Sequence, residues 1–367
     1  MGIWTTVTLW IHQQISVVFH SGFPLFFWIR TRWNEAQIPD QTNKVAFITG
    51  GNSGIGYAIA LALYNAGATV YIACRNQESA QKAADDIVRG GVRDVGSTKY
   101  PKHELKARKR RGRVEIVYLD LADFKSIDAC VVDFVSRESK LDLLFCNAGV
   151  MATNEGLYTK QGYTLQFGTN VLGHHRLIEK LLPLLLASPP TCPSRVILSS
   201  SAGHFLAPYR GVDLRSVIRD PSDVQAANEN PKRGKYEREK WVEYGQSKWG
   251  NIAMAKYLYD TYGKEGRLIS IAVHPGLVAT NLASHLPMAA WLLRYFSISR
   301  HLITRSSSIG ALNQLYAATL ALPDAWFLNG EYIVPWQMIG VPRSDLNNTD
   351  NVNRLWEWCD EQQKKYE

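Results

Sequence analysis

The stretch Lys44-Val45-Ala46-Phe47-Ile48-Thr49-Gly50-Gly51-Asn52-Ser53-Gly54-Ile55-Gly56 decides the reading of this chain. Its first six residues are a short, mostly apolar run that reads as a buried strand, and four glycines follow at once. A helical pattern then continues to Ala66 and stops at Gly67. Glycines between a strand and a helix let the backbone turn sharply and approach a pyrophosphate, whose charge meets the free N–H groups at the helix start. Thr49, Gly50, Asn52, Ser53, Gly54, Ile55 and Gly56 are therefore candidate dinucleotide contacts.

Outward from this turn, strand and helix patterns alternate. The next strand is Ala68–Ala73, followed by a helix from about Glu78 to Val88. Further strands are expected at Val114–Leu119, Leu141–Cys146, Arg195–Ser200, Leu268–His274 and Glu331–Val334, most of them separated by helical stretches. Such alternation predicts an α/β fold, a doubly wound parallel sheet with helices on both faces, in one catalytic domain over residues 43–340. Residues 341–367 read as a polar, tryptophan-containing tail.

The ends and insertions differ in character. From Met1 to Ile29 there is no Asp, Glu, Lys or Arg, and Phe26-Phe27-Trp28-Ile29 abuts Arg30 and Arg32. About 20 apolar residues span a hydrocarbon core as a helix. Gln13, Gln14, His20, Gly22 and Pro24 dilute this one, so residues 1–33 read as a bent lipid-surface anchor or a short span with the domain on the cytosolic side. A helix packed on the domain is the plainer alternative. Residues 89–113 carry Lys106, Arg108, Lys109, Arg110, Arg111 and Arg113 but no aromatic platform, which favours a solvated loop over a nucleic-acid site. Residues 204–240 read as a polar loop with a short helix. Leu286–Ile303, rich in Trp, Leu, Tyr, Phe and Ile, is a candidate substrate lid, lipid contact, core helix or dimer face.

Composition excludes some classes. Hydrophobic residues at 46% rule out a mainly disordered chain, whereas a net charge of 41 − 33 = +8 fits many enzymes and selects no partner. Five scattered cysteines, Cys74, Cys130, Cys146, Cys192 and Cys359, form no CxxC pair and suggest neither a disulfide framework nor a metal site.

Several ordered motifs together resemble the short-chain dehydrogenase/reductase family. Thr49–Gly56 matches its cofactor turn, and Asp120-Leu121 stands where the family places an Asp near adenine. Asn147-Ala148-Gly149 is similar to its NAG element, Asn170 to the asparagine of its catalytic tetrad, and Arg195–Ser200 to the strand ending in the catalytic serine. Tyr244-Gly245-Gln246-Ser247-Lys248 matches YxxxK. Pro275-Gly276 with Thr280 matches the element beside the nicotinamide. The long interval from Ser200 to Tyr244, the N-terminal apolar segment and Ala73-Cys74-Arg75-Asn76 resemble the retinol-dehydrogenase-like and WW-domain-oxidoreductase-like branch, including fungal lipid-droplet or endoplasmic-reticulum members.

That resemblance implies an oxidoreductase acting on CH–OH groups, interconverting a carbonyl and an alcohol on a retinoid, sterol or long-chain aldehyde or ketone. Tyr244 would be the acid/base and Lys248 would lower its pKa from the ordinary value of about 10. Ser200 would polarise the substrate, with Ser199 as its rival, and Asn170 would hold a water of the proton path. Tyr244, Lys248, Asn147, Ala148, Gly149, Pro275, Gly276 and Thr280 would also touch the cofactor. Arg75 at the end of the second strand, where a carboxylate would suit NAD(H), favours NADP(H). The expected partners are a lipophilic small molecule and a lipid surface, with no nucleic acid; a homodimer is left open. The competing reading is a lipid-droplet or endoplasmic-reticulum surface protein that keeps the fold with little turnover.

Overall fold

The computed structural model describes residues 31, 33–90, 111–154, 156–218, 233–276, 278 and 306–367, and for 233–238 the backbone alone. Within it, β1 (Val45–Thr49) is buried at every position, as its apolar run requires. It leads through the glycine turn into α1 (Gly54–Asn65), β2 (Thr69–Cys74) and α2 (Gln77–Val88). Then come β3 (Arg113–Tyr118), α3 (Phe124–Arg137), β4 (Leu143–Cys146), α4 (Gly173–Leu186) and β5 (Ser194–Ser199). The chain continues with α5 (Arg233–Leu258), β6 (Leu268–Val273), α6 (Ser307–Thr319), α7 (Leu322–Phe327), β7 (Tyr332–Val334), β8 (Met338–Ile339) and α8 (Thr349–Lys364).

The sheet order is β3-β2-β1-β4-β5-β6-β7-β8, parallel except for β8 against β7. Order reverses between β1 and β4, so the connections leave to opposite sides and open a crevice at the strands' carboxyl ends. Alternate residues serve opposite faces. Phe47, Leu144, Val196 and Leu198 join Phe134, Leu177 and Trp249 of α3, α4 and α5 on one side. Ala46, Ile48, Phe145 and Ile197 join Ile59 of α1 and Leu315 of α6 on the other.

The strands appear where the apolar runs placed them, with ends moved by specific bonds. The expected start at Leu141 shifts to Leu143 because the Asp142 carboxylate accepts from the Val45 N–H at 2.9 Å and pairs with Lys44 and Lys140. The fifth strand ends at Ser199, although the Ser200 N–H still donates to Val273 O at 2.8 Å before the chain turns.

A larger difference lies at the C-terminus. The stretch expected to be a polar tail contains α8, which buries Val352, Leu355, Trp356 and Cys359 along one face. Trp356 stacks on Tyr257 of α5 with centroids 4.1 Å apart, and Trp358 meets Tyr163 and Phe167 edge-on. These four positions follow an i, i+3, i+4, i+7 stripe that the surrounding polar residues masked in the linear reading.

The apolar segment 1–29, most of the basic stretch 89–113, the middle of 204–240, the candidate lid 286–303 and Thr280 lie outside the described residues. Among the described residues, no helix is long and apolar enough to cross a membrane.

Candidate active site

The crevice above the switch point measures about 630 Å³ and runs from Cys74, Arg75 and Asn76, past the glycine turn, to Ser199, Ser200, Tyr244, Lys248 and Pro275. At its centre Gly50 (φ 67°) and Gly54 (φ 56°) adopt left-handed backbone that side chains disfavour. Gly56 lies behind the wall for a different reason. A Cβ there would stand 2.3 Å from Gly50 O and 2.7 Å from Asn147 Nδ2, so only glycine lets α1 approach the turn. Gly56→Ala should cut dinucleotide affinity by about tenfold or more, or leave the protein insoluble; titration with dinucleotide and a thermal melt measure both.

Thr49 joins two of the sequence motifs. Its hydroxyl oxygen accepts the N–H groups of Asn147 and Ala148, each at 2.9 Å, while Asn147 Nδ2 donates to Thr49 O at 3.1 Å. The same oxygen lies 2.9 Å from His174 Nε2. His174 Nδ1 donates to the carbonyl of Asn170 at 3.0 Å, which fixes the tautomer, and burial pushes its pKa down to about 4. This buried His174 was not singled out from sequence; its place four residues after Asn170 on one helical face was the available clue.

At the Arg75 end, Asp120 and Leu121 line the crevice, and Asp120 Oδ1 accepts from Ala122 N at 3.0 Å. Arg75 is exposed on the lip. Asn76 turns away from it to cap α2 through Ser79 N at 2.8 Å.

Four residues converge at the other end. Asn170 sits in a π-helical turn, Gly168–Leu172, of the kind that often marks functional sites. Its side chain is fully engaged: Oδ1 accepts from Val150 N at 2.8 Å, and Nδ2 donates to Val150 O and to Ser247 Oγ, both at 2.9 Å. Asn170 thus braces the chain after Gly149. Gly149 makes room, since a Cβ would lie 3.0 Å from Asn170 Oδ1 and 3.6 Å from Lys248 Nζ.

Tyr244 and Lys248 share one face of α5, with Lys248 Nζ 5.6 Å from the Tyr244 ring centroid. The ammonium donates to Ser199 O at 2.9 Å, beside Asn251 Nδ2 at 2.7 Å. Within the protein alone the expected lowering of the tyrosine is reversed. Burial pushes Tyr244 up to about 12, against a hydrogen bond with Ser201, and pulls Lys248 down to about 8.

The three adjacent serines face three ways. Ser199 falls on the α1/α6 side, two residues from Ile197, and its buried hydroxyl has no hydrogen-bond partner. Ser200 points to α5 and donates to Lys248 O at 2.8 Å. Ser201, the third of the competing serines, bonds Tyr244 and accepts from Gly203 N at 3.1 Å. Gly203 permits this: a Cβ would sit 2.8 Å from the Tyr244 ring.

Pro275 lines the crevice. Gly276 (φ 86°) follows it and donates its N–H to His274 Nδ1 at 3.3 Å.

A family model described as short chain dehydrogenase matches residues 44–98. A short-chain dehydrogenase/reductase of Armillaria gallica is 35% identical over 341 residues, covering 92% of this chain and 96% of its own. One from Emericella nidulans is 34% identical over 339 residues, covering 90% and 96%. Among solved structures, an uncharacterised protein of Mycobacterium paratuberculosis superposes with a TM-score of 0.60 at 27% identity, over 90% of this chain and 97% of the other. L-sorbose reductase from Gluconobacter frateurii, complexed with NADPH and L-sorbose, gives 0.53 at 19% identity, over 81% and 97%. A 3-ketoacyl-(acyl-carrier-protein) reductase from Brucella melitensis, complexed with NADH, gives 0.55 at 18%, over 80% and 97%.

Proposed function

Since this chain belongs to the short-chain dehydrogenase/reductase family and is an oxidoreductase with a nicotinamide cofactor, we propose that it interconverts a carbonyl and an alcohol on a lipophilic substrate using NADP(H). The observation that carries the reading is the crevice itself: a glycine cradle at its middle and Tyr244, Lys248 and Ser200 grouped at one end. The cradle fits a dinucleotide, because its backbone is forced open by left-handed glycines and by a contact only Gly56 allows.

In this reading the backbone of Gly50–Ile55 holds the pyrophosphate, Asp120 and Leu121 border the adenine, and Arg75 meets a ribose 2′-phosphate. The bound reduced nicotinamide supplies hydride. Tyr244 gives its phenolic proton to the carbonyl oxygen, and the neighbouring ammonium of Lys248 stabilises the phenolate that remains. Ser200 turns its hydroxyl from Lys248 O toward the same oxygen as charge develops there. Asn170 keeps the segment after Gly149 in place.

A greasy substrate is favoured by Val150, Met151, Leu157 and Leu165 along the wall. Leu206 and Tyr209, after β5, are exposed large hydrophobic side chains. With the uncharged stretch 1–29, these features support a lipid surface, lipid droplet or endoplasmic reticulum, as the protein's location.

A panel of retinal, sterol ketones and long-chain aldehydes, assayed with each cofactor, tests the chemistry. NADPH should give at least about tenfold higher kcat/KM than NADH, and Arg75→Glu should reverse the order. Wild-type preference for NADH would overturn the Arg75 assignment. Flotation with anionic vesicles tests the surface: the full chain should float and a chain lacking residues 1–33 should not. Equal flotation would remove the anchor.

A further inference from the structure

The N-terminal segment is tied to the domain at one defined place. Thr31 stands two residues past the stretch 1–29, which carries no Asp, Glu, Lys or Arg, and its hydroxyl donates to Gln337 Oε1 at 2.8 Å. Trp33 meets the Tyr316 ring of α6 edge-on, with centroids 5.7 Å apart. Gln337 lies in the turn between β7 and β8, and its Nε2 donates to Asn313 Oδ1 at 3.0 Å. Asn313 Nδ2 in turn donates to His274 O at 2.9 Å, and Pro275, the next residue, lines the crevice. Three side-chain hydrogen bonds in series thus connect the crevice wall to the point where residues 1–29 join the described structure.

Strand direction fixes which side of the molecule this is. β7 is parallel to β6, so the turn 335–337 lies at the carboxyl ends of the strands, the side on which the crevice opens. The loop that follows β5 leaves from the same side. On it Leu206 and Tyr209 are 50% and 84% exposed, and the Arg210 guanidinium lies 5.8 Å from the Tyr209 ring centroid. Arg343 holds this loop to the segment after β8, donating to Ala207 O and, at 2.8 Å, to Pro208 O. Val341, two residues earlier, is 50% exposed. Exposed apolar and aromatic side chains beside a cation suit the boundary between lipid headgroups and acyl chains.

We propose that this carboxyl-end face, around Thr31, Leu206 and Tyr209, is the one laid against a phospholipid surface. The Tyr244 end of the crevice then opens toward lipid, and an apolar substrate enters without passing through water. This orientation rests on the lipid-surface reading of residues 1–29 and adds to it. Because Thr31 and Trp33 are seated on the domain, the anchor and the loop after β5 meet the same surface.

Environment-sensitive labels on the full chain test it. Cys192 is exposed directly before β5, at the amino ends of the strands, and so reports on the opposite side; the other four cysteines are buried. In a Cys192→Ser chain, Tyr209→Cys puts a probe on the proposed face, and Val132→Cys puts one on α3, where Val132 is 71% exposed. Each chain is labelled with nitrobenzoxadiazole and mixed with phosphatidylcholine–phosphatidylserine vesicles, with and without doxyl lipid as quencher. The label at 209 should brighten about twofold or more and be quenched by doxyl lipid, while those at 192 and 132 change by less than about a fifth. Tyr209→Asp should weaken vesicle binding of the full chain about fivefold. A response strongest at 192 or 132, equal responses at all three sites, or none in a chain that floats would each overturn the orientation. Unchanged vesicle affinity in Tyr209→Asp would do the same. Failure of the full chain to float would instead remove the lipid-surface reading beneath it.

Discussion

On the proposed reaction, Tyr244→Phe should lower carbonyl reduction by about 10²–10⁴-fold, the range expected when a positioned acid is removed from a proton transfer, and leave dinucleotide affinity nearly unchanged. The structure favours so clean a result. The phenol is buried on α5, its ring lies against Gly203, and its hydroxyl has the Ser201 hydrogen bond beside it. Phenylalanine keeps the ring packing and takes away only the proton donor. Steady-state kinetics with NADPH and titration of the cofactor check the two halves. A variant that still turns over within about tenfold of wild type would take Tyr244 out of the chemistry.

The second large effect concerns Lys248 and its charge. Burial pulls its ammonium down to about 8 from an ordinary value near 10.5, whereas the Tyr244 phenol is pushed up to about 12. The ammonium exists below about pH 8 and is lost above it. Reduction needs that charge when Tyr244 gives up its proton, so kcat for reduction should be level below pH 8 and fall above it. Alcohol oxidation needs the phenolate beside that ammonium, so its rate should rise with pH and level off above about pH 8. Lys248→Met should cost about 10²–10³-fold in reduction and erase the fall near pH 8. A wild-type reduction rate that stays flat from pH 6 to about 10 would contradict this role. The pH profile separates charge from packing, because a purely structural lysine would change the rate without moving the titration.

Much of this was open to reading in the linear chain because the patterns are local. The strand–turn–helix around Thr49–Gly56 depends on neighbours in sequence, as do the four-residue spacing of Tyr244 and Lys248 and the apolar runs of the sheet. Where partners lie far apart in sequence, local pattern failed. The helix Thr349–Lys364 looked like a polar tail because its buried stripe is narrow and its partners, Tyr257, Tyr163 and Phe167, belong to distant elements. His174 and Gln314 carry no comparable local pattern: each matters through contacts with Thr49 or Asn147.

The order of apolar runs and glycines was enough for the sheet and the turn, since each follows from short-range sterics and burial that residues carry with them; the resemblance to the family needed the further motifs from Asp120 to Thr280. Which serine faces which neighbour, how the asparagine is engaged, and how deeply the tyrosine is buried were settled by packing. Those outcomes depend on strand pleat, on the carbonyls each side chain meets, and on how much water the assembled walls exclude. None of these exists until the distant segments have come together.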